Sequence, residues 1–268
     1  DGSTNGKLYN QLGIALDMQG RYREAGEALA HSRSMAGDAL DGTPQDKAIS
    51  LANQASVLEN MGDYAGAVAG FEQALALHDG AGLPATASRT GIERNLARSL
   101  GFTRHGAEAW ERLQALRERA RLEDGAGSLD HALTTWQLAV LASRNGDARR
   151  GLPLLDEAVT SLGAIAPPQH PVFAHAQRAR ARFLQAQGDL AAAEAVQRDA
   201  IARLEPTANA TELAIARAEL AAIRSARGDT DQARTLLEQS LPVLREAVLP
   251  AEFHRAAAET LAERLGTR

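Results

Sequence analysis

The chain has 268 residues, no cysteine, 4% aromatic residues and a formal net charge of −5. The absence of cysteine excludes disulfides, zinc–thiolate sites and thiol catalysis, and the acidic balance argues against general nucleic-acid binding. No apolar run approaches the roughly 20 residues that span a bilayer, so the sequence predicts no membrane insertion.

A turn signal recurs along the chain at a nearly constant interval. A glycine can end a helix by adopting a positive φ, and the Asp that follows most of these glycines can cap the next helix. Successive markers are 42, 84, 42 and 40 residues apart, and 84 is twice 42. The missing marker is expected at 104, where the sequence reads Arg-His-Gly. The five marker glycines are Gly20, Gly62, Gly146, Gly188 and Gly228.

Each interval predicts two amphipathic helices joined at the marker. Small residues recur seven places before and five places after each marker, and small residues at facing positions let two helices approach closely. In chain order, the predicted units are residues 5–36, 46–79, 87–123, 129–163, 171–205 and 210–248, followed by a capping helix at 250–266.

The first unit carries the most complete pattern, with Tyr9, Leu12, Gly13, Gly20, Tyr22, Ala25 and Leu29 in register. This pattern resembles the tetratricopeptide repeat, and the 42-residue period with a His170-Pro171 pair before a unit is similar to its kinesin-light-chain-like subclass. The resemblance implies an all-α, right-handed α-α superhelix of about six hairpins and a capping helix. We expect one such domain over residues 1–268, in which each unit contacts only its neighbours.

The resemblance also implies that the first helix of each unit lines a concave groove, through residues ten, nine and six places before the marker. Asparagines at equivalent places can clamp a peptide backbone, because an amide both donates and accepts hydrogen bonds. Arginine pairs would suit an acidic partner, although salt bridges to neighbouring glutamates are the alternative for them. The predicted partner-binding residues are Asn10, Asn53, Asn95, Arg94, Arg98, Trp136, Gln137, Arg144, Arg178 and Arg182.

Motifs that carry catalysis are absent from the sequence. It contains no dinucleotide-binding glycine fingerprint, no P-loop, no zinc-protease motif and no nucleophile elbow. No enzymatic activity, cofactor or metal site is therefore predicted.

The predicted function is binding of a protein or peptide, as the sensor or scaffold region of a larger signalling protein. The chain begins with Asp1 rather than Met, so we expect it to be a piece of a longer protein. Its 27 arginines against 2 lysines are typical of a GC-rich bacterial genome. The array resembles the C-terminal region of bacterial tetratricopeptide-containing Ser/Thr protein kinases. It would be extracytoplasmic if a kinase's membrane helix precedes it, and cytoplasmic otherwise. The alternative is the signalling-peptide receptor arm of a transcriptional regulator.

Overall fold

A computed structural model describes residues 2–36, 43–84, 87–167 and 170–267, and every regular element within these ranges is a helix. The helices are α1 (Gly2–Met18), α2 (Tyr22–Ala36), α3 (Pro44–Met61), α4 (Tyr64–Gly80), α5 (Ala87–Leu100), α6 (Gly106–Glu123), α7 (Leu129–Arg144), α8 (Ala148–Gly163), α9 (Pro171–Ala186), α10 (Leu190–Leu204), α11 (Ala210–Ala226), α12 (Thr230–Ala247) and α13 (Phe253–Leu265). Consecutive helices from α1 to α12 pair into six hairpins, and α13 packs on α11 and α12. The predicted all-α superhelix of hairpins with a C-terminal helix is confirmed.

The turns have the predicted chemistry. All five marker glycines adopt positive φ, from 66° at Gly146 to 91° at Gly62. In the second unit, the carboxylate of Asp63 accepts a hydrogen bond from the backbone N–H of Gly66 at 2.9 Å. The equivalent aspartates of units four, five and six cap their helices in the same way. Gly-Asp therefore ends one helix and starts the next.

The third unit turns differently, because it lacks the marker glycine. Helix α5 ends at Leu100 and α6 begins only at Gly106. The longer turn places Phe102 against Tyr64 of the preceding unit, with ring centroids 4.5 Å apart and ring planes 8° from parallel. The irregular turn therefore contributes an aromatic side chain that the regular turns do not have.

The predicted small residues form the crossing points of the hairpins. Because these side chains are small, the two helix axes approach closely, and the side chains are buried between them. At Gly151 a β-carbon would lie 2.0 Å from Cζ of Phe183, so no side chain fits there. The alanines at these points that are fully buried are Ala25, Ala55, Ala67, Ala97, Ala109, Ala139, Ala193, Ala221 and Ala233.

The superhelix closes on itself, so the prediction that each unit contacts only its neighbours is wrong at the ends. The hydroxyl of Thr211 donates a hydrogen bond to the backbone carbonyl of Gly20 at 2.8 Å. The amide of Asn209 donates to the carbonyl of Met18 at 3.2 Å. Tyr22 is buried in the core that α11, α12 and α13 share. Six units turn far enough for the last hairpin to meet the first.

Candidate functional site: the concave groove

The first helices of the hairpins (α1, α3, α5, α7, α9 and α11) lie next to one another and form one surface of the superhelix. We use "the groove" for this surface. One small cavity in it is lined by Arg98, Phe102, Gln137 and Arg144, among others. A second cavity is lined by Arg182, Glu219 and His254, the last of these from α13.

Residues ten places before the marker lie at the seam between adjacent first helices instead of facing the groove. Arg94 of α5 pairs with Asp130 of α7 at 2.9 Å. Trp136 is only 9% exposed and shares a core with Ala179 of the next unit. Arg178 is 4% exposed. Trp136 and Arg178 are therefore not available on the groove surface as the sequence predicted, because this position packs against the following unit.

Arg178 and Arg182 of α9 are neutralised by glutamates of α11. Nε of Arg178 lies 2.7 Å from Glu219, and Arg178 also contacts Glu212. Nη1 of Arg182 lies 2.7 Å from the same Glu219 carboxylate. Burial disfavours the charge on Glu219, but the two guanidinium groups overcome it and hold the pKa of this carboxyl well below its usual range. Two cations and two anions cancel, so this part of the groove is not basic.

Two histidines border the same glutamates. Nδ1 of His175 lies 3.6 Å from Glu212. His254 lies 2.8 Å from Glu252 through Nδ1 and 3.5 Å from Glu219 through Nε2. Burial lowers the pKa of His175, which keeps it neutral near pH 7. These contacts join α9, α11 and α13 into one polar cluster.

Arg98 and Arg144 lie in the neighbouring part of the groove and differ in their partners. Arg98 pairs with Glu59 of the preceding unit at 2.5 Å. Arg144 donates to the backbone carbonyl of Gly101 at 3.0 Å and stacks over the ring of Phe102, 3.6 Å from its centroid. Burial lowers the pKa of Arg144 to about 10. In the part of the chain that the structure describes, no carboxylate lies within salt-bridge distance of Arg144.

Side-chain amides recur nine places before the marker in units two, three and four. Asn53, Asn95 and Gln137 are all partly buried, and we call these three residues the amide ladder. Among the described residues, none of the three side chains forms a hydrogen bond with another protein group. Their donors and acceptors are therefore available to a partner. Asn10, at position ten of unit one, has a buried Oδ1 that also has no hydrogen-bond partner among the described residues.

The repeat pattern does not indicate the aromatic residues that contact Arg144. Tyr64, Phe102 and Phe253 come together with Arg144, although they lie in a helix start, an irregular turn and the C-terminal helix. The sign of this cluster in the sequence is the missing marker glycine of unit three, because a longer turn there brings Phe102 to a position that the regular turns do not fill. The contribution of Phe253 follows from the closure of the superhelix, which the repeat pattern does not encode.

Two negative findings bound the chemistry of the described residues. No group of three or more His, Asp and Glu side chains is placed to hold a metal ion. None of the described helices is both long and apolar enough to cross a membrane.

Comparisons with known proteins agree with this geometry. A family model for the tetratricopeptide repeat matches residues 172–246. No curated protein matches the chain. Among solved structures, the nearly identical repeats of a kinesin light chain from Podosopora anserina match with 23% identity and a TM-score of 0.51, over 76% of this chain and 96% of that one.

Two peptide complexes match over almost the whole chain. The Rap protein complexed with competence and sporulation factor has 16% identity and a TM-score of 0.70, over 99% of this chain and 75% of that one. NprR in complex with its cognate peptide NprX has 12% identity and a TM-score of 0.70, over 98% of this chain and 74% of that one. Residues 172–246 thus match the tetratricopeptide repeat, and the chain as a whole has the fold of a tetratricopeptide-repeat solenoid.

Proposed function

We propose that this chain is a non-catalytic module that binds an extended segment of a partner protein or peptide in its groove. The observation that carries the proposal is the amide ladder, in which three equivalent side chains in consecutive units leave their hydrogen-bonding groups unused. Tetratricopeptide-type folds are generally binding scaffolds, and the two peptide-bound structures share this fold over nearly the whole chain.

The spacing of the ladder suits an extended backbone. Helices that pack against each other are separated by roughly 8–10 Å. An extended chain advances about 3.3 Å per residue, so consecutive ladder amides would meet every third residue of the partner. Each amide can donate to a carbonyl and accept from an N–H, so the ladder holds a backbone without reading its sequence.

The charge of the groove favours a partner with an acidic side chain near Arg144. Arg144 is a partly buried cation with no carboxylate within salt-bridge distance among the described residues, although Glu59 and Glu252 act on it from farther away. A carboxylate that reached its guanidinium would form a charge-assisted hydrogen bond in a place of restricted solvent access. Arg98 is already paired with Glu59 and contributes less.

Two settings for the module follow from the sequence and the comparisons. The sequence resemblance favours the sensor or scaffold region of a bacterial Ser/Thr kinase, with the module outside the cytoplasm if a membrane helix precedes it. The high similarity to Rap and NprR complexes favours a peptide-receptor arm of a regulator. Flanking sequence discriminates between them: kinase residues and an apolar stretch support the first, and a helix-turn-helix supports the second.

The proposed function is tested by selecting binders from a random peptide library and measuring their affinity for matched variants. Asn53→Ala with Asn95→Ala removes two amides, each worth about 1 kcal/mol when hydrogen-bonded, so we expect binding to weaken by about 30-fold. Gln114→Ala is the matched control, because Gln114 is an exposed amide on the outer helix α6. Peptides that bind both variants as tightly as the parent chain would contradict the proposal.

A further inference from the structure

We propose that Phe253 occupies a binding position for an aromatic side chain of the partner, so that the start of α13 is an intramolecular ligand of the groove. This inference rests on the proposed function. We call the segment 249–254 the strap, and the surface formed by Tyr64, Phe102 and Arg144 the shelf.

The strap contacts the second unit as a bound peptide would. The backbone N–H of Leu249 donates to the carbonyl of Met61 at 2.8 Å. The backbone N–H of Phe253 donates to the hydroxyl of Tyr64 at 3.1 Å. Both donors are backbone N–H groups of the strap, and both acceptors belong to residues some 190 positions earlier in the sequence. A segment from another protein could form the same two bonds.

The side chain of Phe253 lies against a cation and remains partly in solvent. Its ring centroid is 4.8 Å from the guanidinium carbon of Arg144, which also lies 3.6 Å from the centroid of Phe102. Phe253 is 37% exposed, and it does not belong to any of the buried core clusters. Its contact is therefore the recognition of a guanidinium face by an aromatic ring, an interaction that any Phe, Tyr or Trp can make.

The residues of the shelf also contact one another and groups outside the strap. Tyr64 and Phe102 stack on each other at 4.5 Å. Arg144 is oriented by its hydrogen bond to the carbonyl of Gly101. Removing Phe253 would leave the shelf in place and expose the free face of Arg144. The shelf also lies beside Gln137, the last residue of the amide ladder, because both line one cavity.

The rest of α13 stays anchored when Phe253 leaves. Ala258, Leu261 and Ala262 are buried in the core shared with α11 and α12. Displacement of the strap and the first turn of α13 would break the contacts of Glu252 and His254 but leave this core in place. A tethered ligand competes at a high effective concentration, so the strap lowers the apparent affinity for a partner until the partner's aromatic residue takes its place.

The experiment uses a fluorescent synthetic peptide of residues 249–258, LPAEFHRAAA, as the probe, and measures its anisotropy with the full chain. Phe253→Ala should bind this peptide at least about tenfold more tightly than the parent chain, because the tethered competitor is gone. Adding Arg144→Gln to Phe253→Ala should abolish the gain. A peptide with Ala in place of its own Phe should not bind. Ile165→Ala is the control, because Ile165 is a similarly exposed apolar residue outside the groove.

Three results would overturn the inference. The first is equal or undetectable binding of the probe to the parent chain and to Phe253→Ala. The second is unchanged binding after Arg144→Gln. The third is dimerisation of Phe253→Ala, which would assign the shelf to a second copy of the chain. None of them affects the proposed function, which fails only if library peptides bind independently of Asn53 and Asn95.

Discussion

The two halves of the groove have the same architecture and opposite chemistry. In the first part, units one to four, which we call the open half, position nine before the marker carries the amides Gln11, Asn53, Asn95 and Gln137. The last three, the amide ladder, are unpaired among the described residues. In the second part, units five and six, which we call the closed half, the same position carries Ala179 and Glu219. Ala179 is fully buried, and Glu219 binds two arginines of the neighbouring unit.

The difference shows that the residue type at position nine determines whether the polar groups of the groove are available to a partner. A glutamate at position nine of unit six forms ion pairs with the arginines of unit five, so their charges are already neutralised within the protein. An amide at this position has no such partner and leaves its groups free. Arginine-rich helices in a repeat array therefore do not by themselves make a basic groove, because the facing unit determines their charge.

The largest expected effect comes from breaking the ion pairs of the closed half. Glu219→Ala leaves Arg178 and Arg182 buried with only Glu212 as a carboxylate neighbour. Loss of one partner of a buried ion pair costs about 3–5 kcal/mol. We expect the unfolding free energy of Glu219→Ala to fall by this amount, as measured by urea denaturation. The control is Asp156→Ala, which removes the exposed partner of Arg180 and should cost about 0–1 kcal/mol. Equal effects of the two variants would contradict the distinction.

The second effect concerns Tyr22, which connects the first unit of the superhelix to the last unit and α13. Tyr22 of the first unit is 5% exposed in the core of α11, α12 and α13. Tyr22→Ala should lower the unfolding free energy by about 3 kcal/mol, since truncation of a buried aromatic residue leaves a cavity. It should also open the superhelix, seen as a larger radius of gyration by small-angle X-ray scattering with unchanged helical circular dichroism. An unchanged radius would show that closure does not depend on this contact.

The third effect is a loss of stability in acid that originates in the closed half. Burial lowers the pKa of His175 from the ordinary 6.5. As the pH falls below this value, the unfolded chain is therefore protonated at this histidine while the folded chain is not. The pKa values of Glu212 and Glu219 are lowered from 4.5 by the basic side chains around them, despite burial. Their stabilisation is complete above 4.5 and is lost as the pH falls toward the folded-state pKa.

We therefore expect the unfolding free energy to fall from about pH 6.5 downward and more steeply below about pH 4.5. Urea midpoints measured between about pH 7 and pH 3 check this. His175→Gln should flatten the upper part of the profile, and Glu219→Gln the lower part. A profile that rises toward acid would contradict the assigned protonation states.

The smallest effect on stability belongs to the open half. Asn95→Ala removes no internal hydrogen bond, so its unfolding free energy should stay within about 0.5 kcal/mol of the parent. The same change should weaken a selected peptide about fivefold, as expected for one lost hydrogen bond of about 1 kcal/mol. A stability loss as large as that of Glu219→Ala would place Asn95 among the structural residues.

The repeat pattern predicted the fold because its signals are local. Glycine and aspartate at each turn, and alanine at each crossing point, determine where helices end and how closely they pack. The same pattern places Asn53 and Asn95 at equivalent positions of adjacent units and predicts a shared role for them. These features depend on spacing alone and can be read from the sequence.

The groove charge and its aromatic residues could not be predicted, because they depend on contacts between distant segments. From its spacing in the sequence, Arg178 has the position of a groove-facing cation. Only the structure shows that Glu212 and Glu219 lie beside it and neutralise its charge. Phe253 reaches Arg144 only because the superhelix closes, and the curvature that closes it is a sum of small rotations per unit. No single unit contains the information that the first and last hairpins meet.

Segment-resolved hydrogen–deuterium exchange with a library-selected peptide tests the division of the groove most directly. We expect the peptide to slow exchange in α3, α5 and α7, which carry the amide ladder, and in the turns that hold Tyr64 and Phe102. Helices α9 and α11 should exchange as in the free chain, because their polar groups are already paired with each other. Slowed exchange confined to α9 and α11 would contradict the account.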